Sequence, residues 1–101
     1  MLVVAAECRI LPDHWQEFEK EMARITDLVR AEPGCTRYDT TTSTEEPGLF
    51  LILEEWESRD HLDAHLETVH MKEHKSLTAD WTVEPTRLSL YETLSVQRLE
   101  L

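Results

Sequence analysis

Four of the five histidines lie within fourteen positions, at His61, His65, His70 and His74. His61 and His65 are four residues apart, as are His70 and His74, so on a helix each pair shares a face. Imidazole titrates near neutrality, which suits proton transfer or hydrogen-bond donation at ordinary pH. Leu62, Leu66 and Val69 make an apolar stripe on such a helix, centred near Leu62. At about 100° per residue, His65 falls roughly 65° from that centre and His61 roughly 105° from it. His65 is therefore expected at the boundary of the buried face, looking into the space between helix and sheet, with His61 mostly solvated. Three uses of the cluster are open at this level. His65 is a general base or donor in a pocket, or a boundary residue satisfied by backbone or water, or part of a metal site. Two i,i+4 histidine pairs can hold Zn²⁺, but there is no HExxH and no carboxylate is pinned by spacing, so no metal ligand set is assigned.

Other side chains could join this chemistry. Trp56 closes an apolar strand just before the helix; its ring fills core, or its indole N–H lines the same cavity as His65. Tyr38 is the only aromatic residue of its strand, and its hydroxyl reaches a pocket or packs on the sheet. Leu62 at the centre of the stripe and His70 beside the cluster complete the candidate substrate-contacting set. Of Glu54 and Glu55, one is expected to point inward, and a buried carboxylate needs a partner such as Arg9 or Arg37. No Ser-His-Asp or Cys-His arrangement follows from spacing, and neither Cys8 nor Cys35 has a local activating signature.

The elements that position these residues follow from hydrophobic period. Leu2, Val4, Ala6, Cys8 and Ile10 share one parity, giving a first strand that Pro12 ends. Asp13 has the chemistry of an N-cap, with Gln16 completing a capping box. Trp15, Phe18, Met22, Ile25 and Val29 then form the buried stripe of a helix that stops at Glu32-Pro33-Gly34. Cys35–Thr42 reads as a second strand, 43–48 as a turn, and Leu49–Trp56 as a third strand. Ser58 caps a second helix, with a kink near Val69-His70 and a shorter continuation over Met71–Ala79. Thr86–Leu94 is a last strand, and 95–101 a tail bearing Val96, Leu99 and Leu101.

This βαββαβ order is the ferredoxin-like, split βαβ arrangement: an α+β fold with a four-stranded antiparallel sheet. The third strand is apolar on both parities, Leu49, Leu51 and Leu53 on one and Phe50, Ile52 and Trp56 on the other. Two helices cover only one face of the sheet, so a second copy packed sheet to sheet is expected over the other, with the tail at the seam. The chain is 101 residues long, so it is read as a single domain, 1–101, with its core over about 2–94.

Composition excludes several classes. A net charge of −11 argues against nucleic acid and anionic membranes. It also disfavours a strongly anionic substrate. The two glycines, Gly34 and Gly48, rule out both GxGxxG and GxxxxGK[ST]. No apolar run approaches the roughly 20 residues of a membrane span, and no signal peptide is expected. Two lone cysteines without CxxC spacing fit a reducing, cytoplasmic setting.

The segments EPGCTRY (Glu32–Tyr38) and EEWESRDHLDAHLETVH (Glu54–His70) resemble the antibiotic biosynthesis monooxygenase family. Its members show an EPGC…Y turn and strand, then E-x-W-x-S and A-H-L ahead of a second His. The likeness runs over about residues 2–92. It implies a ferredoxin-like subunit in a homodimer, and a small phenolic, quinol or polyketide-derived aromatic oxidised by O₂ without metal, flavin or other cofactor. It further implies that Trp56 and His65 stand at the family's motif positions, with His70 beside them and Tyr38 at a mainly structural position. The haem-degrading branch of the same superfamily is also similar around Trp56-Glu57-Ser58. That branch carries an Asn on the first strand and a Trp on the second helix, where this chain has Cys8 and His65; the sequence contains no Asn. A non-catalytic, dimeric small-molecule-binding domain remains the main alternative.

Overall fold

Burial along the first strand, β1 (Leu2–Arg9), alternates without exception in the computed structural model, which describes all residues 1–101. Leu2, Val4, Ala6 and Cys8 are buried and their neighbours only partly so, the signature of a strand with one covered face. A single 3₁₀ turn at Pro12–His14 leads into α1 (Trp15–Arg30). Then come β2 (Cys35–Thr42), β3 (Leu49–Trp56), α2 (Arg59–Leu66), α3 (Val69–Thr78) and β4 (Arg87–Glu92). The strands form one antiparallel sheet in the order β2-β3-β1-β4. The α+β ferredoxin-like architecture expected from the sequence is therefore the one observed. No helix is long and apolar enough to cross a membrane.

The helical stripe of α1 is buried as its spacing predicts, through Phe18, Met22, Ile25 and Val29. Full burial of an aliphatic side chain such as Ile25 or Val29 stabilises the fold by roughly 1.5–3 kcal/mol. The start of the helix differs from expectation. Asp13 does not cap it: the 3₁₀ turn intervenes, and His14 occupies the cap position without a side-chain bond to the helix backbone. Pro12 presets the first turn, and the Trp15 indole N–H donates to the Ile10 carbonyl at 2.7 Å, fixing the entry of the chain. Trp15 is thus a half-buried anchor beside the core rather than part of its centre.

The second helical segment also differs. It is two helices, each with its own cap: Ser58 accepts from the His61 N–H, and Thr68 accepts from the Met71 N–H. The new cap at Thr68 interrupts the 100° phase on which the apolar stripe depended. Leu62 is buried, but Leu66 and Val69 are exposed, and the inward positions of α2 are Leu62 and His65.

On β3 the two parities separate as the register requires. Phe50, Ile52, Glu54 and Trp56 face the helices with Val4 and Ala6, and are buried. Leu49, Leu51 and Leu53 lie on the opposite face, where Leu51 is 38% exposed. The last strand is shorter than expected, ending at Glu92, and residues 93–101 follow without regular structure. From this tail Arg98 reaches Glu55 at 3.5 Å, while Leu94, Leu99 and Leu101 are fully or largely exposed.

Candidate functional site

The turn that ends α1 sets the site's first residue. Gly34 takes a positive φ of 79°, and a Cβ there would lie 2.3 Å from the His61 ring, so only glycine fits. The turn leaves the Glu32 carboxylate facing α2 and α3. Its Oε2 accepts from His65 Nδ1 at 2.8 Å and from His70 Nε2 at 2.7 Å. An ionised carboxylate can only accept, so both imidazoles donate to it. In a neutral His65 the proton then sits on Nδ1 and the lone pair on Nε2. Burial pushes the His65 pKa down, against the opposing pull of Glu32, so the ring is neutral at pH 7.

His65 is 2% exposed, deeper than the boundary position its helical angle suggested. Its ring packs on Trp56, with centroids 4.7 Å apart, and meets the edge of Tyr38 at 6.0 Å. Trp56 is wholly buried, so its ring fills core and its indole N–H also has a task. It donates to Glu54 Oε1 at 2.9 Å.

Glu54 is the inward-pointing member of the acidic pair, directly opposite Tyr38 in the β2–β3 register. Neither expected arginine reaches it. Arg9 is engaged by Glu46 and Glu84, and Arg37 binds Asp39 and the back-facing Glu55. Without a cation, burial pushes the Glu54 carboxyl up to about 7, and the Glu32 charge adds to this against the indole bond. Burial and the Glu54 charge likewise hold the Tyr38 phenol above its ordinary range. The site thus sets a neutral base beside the Tyr38 phenol, which keeps its proton at neutral pH, and the Glu54 carboxyl, which at its raised value is protonated in about half of the molecules there. Such a set can take a proton from a hydroxyl and donate hydrogen bonds to the oxyanion left behind. Burial raises the Cys8 and Cys35 thiols, which disfavours the thiolate form a nucleophile needs.

The histidine run does not act as one cluster. His61 bonds to the Ser58 hydroxyl at 2.7 Å, and His74 to Glu21 at 2.6 Å. Only His65 and His70 converge, on Glu32, so the pairing of His70 with His74 suggested by their spacing is not formed. Leu62 is buried in the core beside the site. The main surface clefts measure about 340, 460 and 530 Å³. Tyr38 lines the first, with Arg30 and Cys35. His65 lines none of the three.

Sequence reasoning passed over Glu32 as a site residue, because it lies 33 and 38 positions from its partners. The only signal was its place in the Glu-Pro-Gly-Cys turn.

The family profile described as antibiotic biosynthesis monooxygenase matches residues 1–77. The chain belongs to this family. By class it is a monooxygenase. An Escherichia coli K12 protein named probable quinol monooxygenase YgiN is 37% identical, over 71% of this chain and 79% of that one. The uncharacterized protein sll1783 of Synechocystis is 30% identical, over 97% of this chain and 67% of that one. Among solved structures, a conserved Methanosarcina mazei protein aligns with a TM-score of 0.85 at 28% identity, over 89% of each chain. A Nitrosomonas europaea protein ascribed to the same family aligns with a TM-score of 0.89 at 27% identity, covering 94% of this chain and all of that one.

Proposed function

We propose that this monooxygenase oxidises a small phenolic or quinol-like aromatic with O₂, using His65 as base and no organic cofactor. The observation that carries the reading is the bond from His65 Nδ1 to Glu32, which leaves Nε2 free to take a proton. His65 Nε2 removes the hydroxyl proton of the substrate. Tyr38 and the protonated Glu54 donate hydrogen bonds to the phenolate, while Trp56 walls the ring and holds Glu54 in place. The phenolate supplies the electrons. A phenol with a free ring C–H and one O₂ gives a quinone and one water, which closes the balance without an external reductant. The relative named a quinol monooxygenase supports this substrate class. So does charge: no Lys or Arg side chain bonds to Glu32, Glu54, His65 or His70, which suits a neutral aromatic. In this reading Leu62 and His70 stand beside the bound substrate.

The working unit in this reading is a cytoplasmic homodimer, a single domain per chain. The half-covered back face with Leu51 and the exposed leucines of the tail support a second copy packed there, with 95–101 at the seam.

Oxygen uptake with a panel of quinols and phenols tests the chemistry, in the parent and in His65→Ala. Equal rates in the two remove His65 from the mechanism, and no uptake with any substrate removes the reaction class. One observation favours a second reading, binding without chemistry: His65 lines none of the three clefts. Ligand binding that persists in His65→Ala, without turnover in the parent, would support it.

A further inference from the structure

Three side chains from three separate elements aim their donor atoms at one point. Glu32 comes from the turn after α1, His65 from the last turn of α2, and His70 from the first turn of α3. One ligand atom from each lies within 4.8 Å of the other two. Their surroundings are unlike those of the other buried carboxylate–imidazole pair. There, Glu21 is neutralised by the Arg24 guanidinium at 2.6 Å as well as by His74. Glu32 has no Lys or Arg partner, only the two imidazoles.

We propose that Glu32 Oε2, His65 Nδ1 and His70 Nε2 form a binding site for one divalent late first-row metal ion of the Zn²⁺ type. Two imidazole nitrogens and one carboxylate oxygen are the donor set that Zn²⁺ and its neighbours prefer, whereas Ca²⁺ and Mg²⁺ take oxygen ligands. Three protein ligands leave a further coordination position for water or another small molecule. The separations are those of hydrogen bonds, 2.7 and 2.8 Å between nitrogen and oxygen. Ligands about 2.1 Å from a tetrahedral ion stand roughly 3.4 Å apart, so the groups must open by about 0.6 Å. His70, 19% exposed at its side chain, can supply that movement and marks the way in for the ion. A chain of net charge −11 also draws cations.

Binding has a consequence for His65. With the metal on Nδ1, the proton of the neutral ring moves to Nε2, and the nitrogen left free by Glu32 becomes a donor. The metal-bound state and the base-competent state exclude each other. The site stands on its ligands alone and does not depend on the proposed oxidation.

The test is a calorimetric titration of the untagged full chain with Zn²⁺, paired with the visible absorption of Co²⁺ added in its place. Circular dichroism checks the fold of each variant. One ion per chain is expected, with affinity weakened about tenfold or more in Glu32→Gln and in His70→Ala. His70→Ala is the safer variant, since its side chain is only partly buried. His74→Ala, whose partner is Glu21, leaves the affinity unchanged. Absence of stoichiometric uptake by the parent, or equal weakening by His74→Ala and His70→Ala, overturns the site. Because no substrate is present, either result is independent of whether the oxidation occurs.

Discussion

Two histidine–glutamate contacts span the same helical layer, and they are built for different ends. At one, His74 of α3 meets Glu21 in the middle of α1; at the other, His65 of α2 meets Glu32 just past the end of α1. Both glutamates are nearly buried. Burial pushes Glu21 up, but Arg24 and His74 together hold it below its ordinary range. It is a closed ion pair that ties two helices together. Glu32 instead spends its charge on imidazoles alone, and one of those rings lies against Trp56 and Tyr38 with its second nitrogen uncommitted. A guanidinium closes a carboxylate into structure, and its absence leaves one free to orient a base.

Substitutions at the two contacts should therefore separate activity from stability. The largest effect expected is on oxygen uptake: His65→Ala loses about 100-fold or more, the usual worth of a positioned base. His74→Ala should stay within about twofold once both proteins are confirmed folded. Similar losses in the two would erase the distinction.

The next effect concerns pH. The folded-state pKa of Glu54 is raised to about 7. Between its unfolded value and that value, the native state holds a proton that the unfolded chain has lost. Stability from this group is thus fully present below about pH 4.5, falls as pH rises, and levels off above about 7. The full change is on the order of 3 kcal/mol. Urea unfolding at a series of pH values checks this, and Glu54→Gln should flatten that part of the profile. Glu21, held low, has the opposite sign: its contribution is present at neutral pH and is lost as pH falls through its folded value.

Glu32→Gln should destabilise the fold by about 1–3 kcal/mol, since the buried His65 ring and the partly buried His70 ring both lose a charged acceptor. It should also lower activity by more than its stability change explains. Smallest of all is Arg24→Ala. Its side chain is 45% exposed, so removing the pair shifts stability by less than about 1 kcal/mol and leaves activity alone. A larger stability loss there than in Glu32→Gln would reverse the comparison.

Some of this was legible in the residues and some was not. The Phe18–Met22–Ile25–Val29 stripe and the alternation of β1 each report a single local period, and both elements lie where that period puts them. Val69 reads as inward only if one helix continues through Thr68; a local cap there restarts the helix and turns it out, while Leu66, the last residue of α2, is exposed at that helix's end. That one of Glu54 and Glu55 faces inward followed from β3, but which one depends on register against β1 and β2, which composition does not encode. Glu32 escaped for a related reason. Its role exists only when residues 33 and 38 positions away fold back onto it, and no periodicity spans that distance.

The central claim is that Glu32 holds a neutral His65 with its proton on Nδ1 and its lone pair on Nε2. Nitrogen NMR of the metal-free, ¹⁵N-histidine-labelled chain at neutral pH reads this state directly. The account predicts that His65 shows a protonated Nδ1 and an unprotonated Nε2, and that this asymmetry weakens or is lost in Glu32→Gln. A His65 protonated on Nε2, or on both nitrogens, would contradict it.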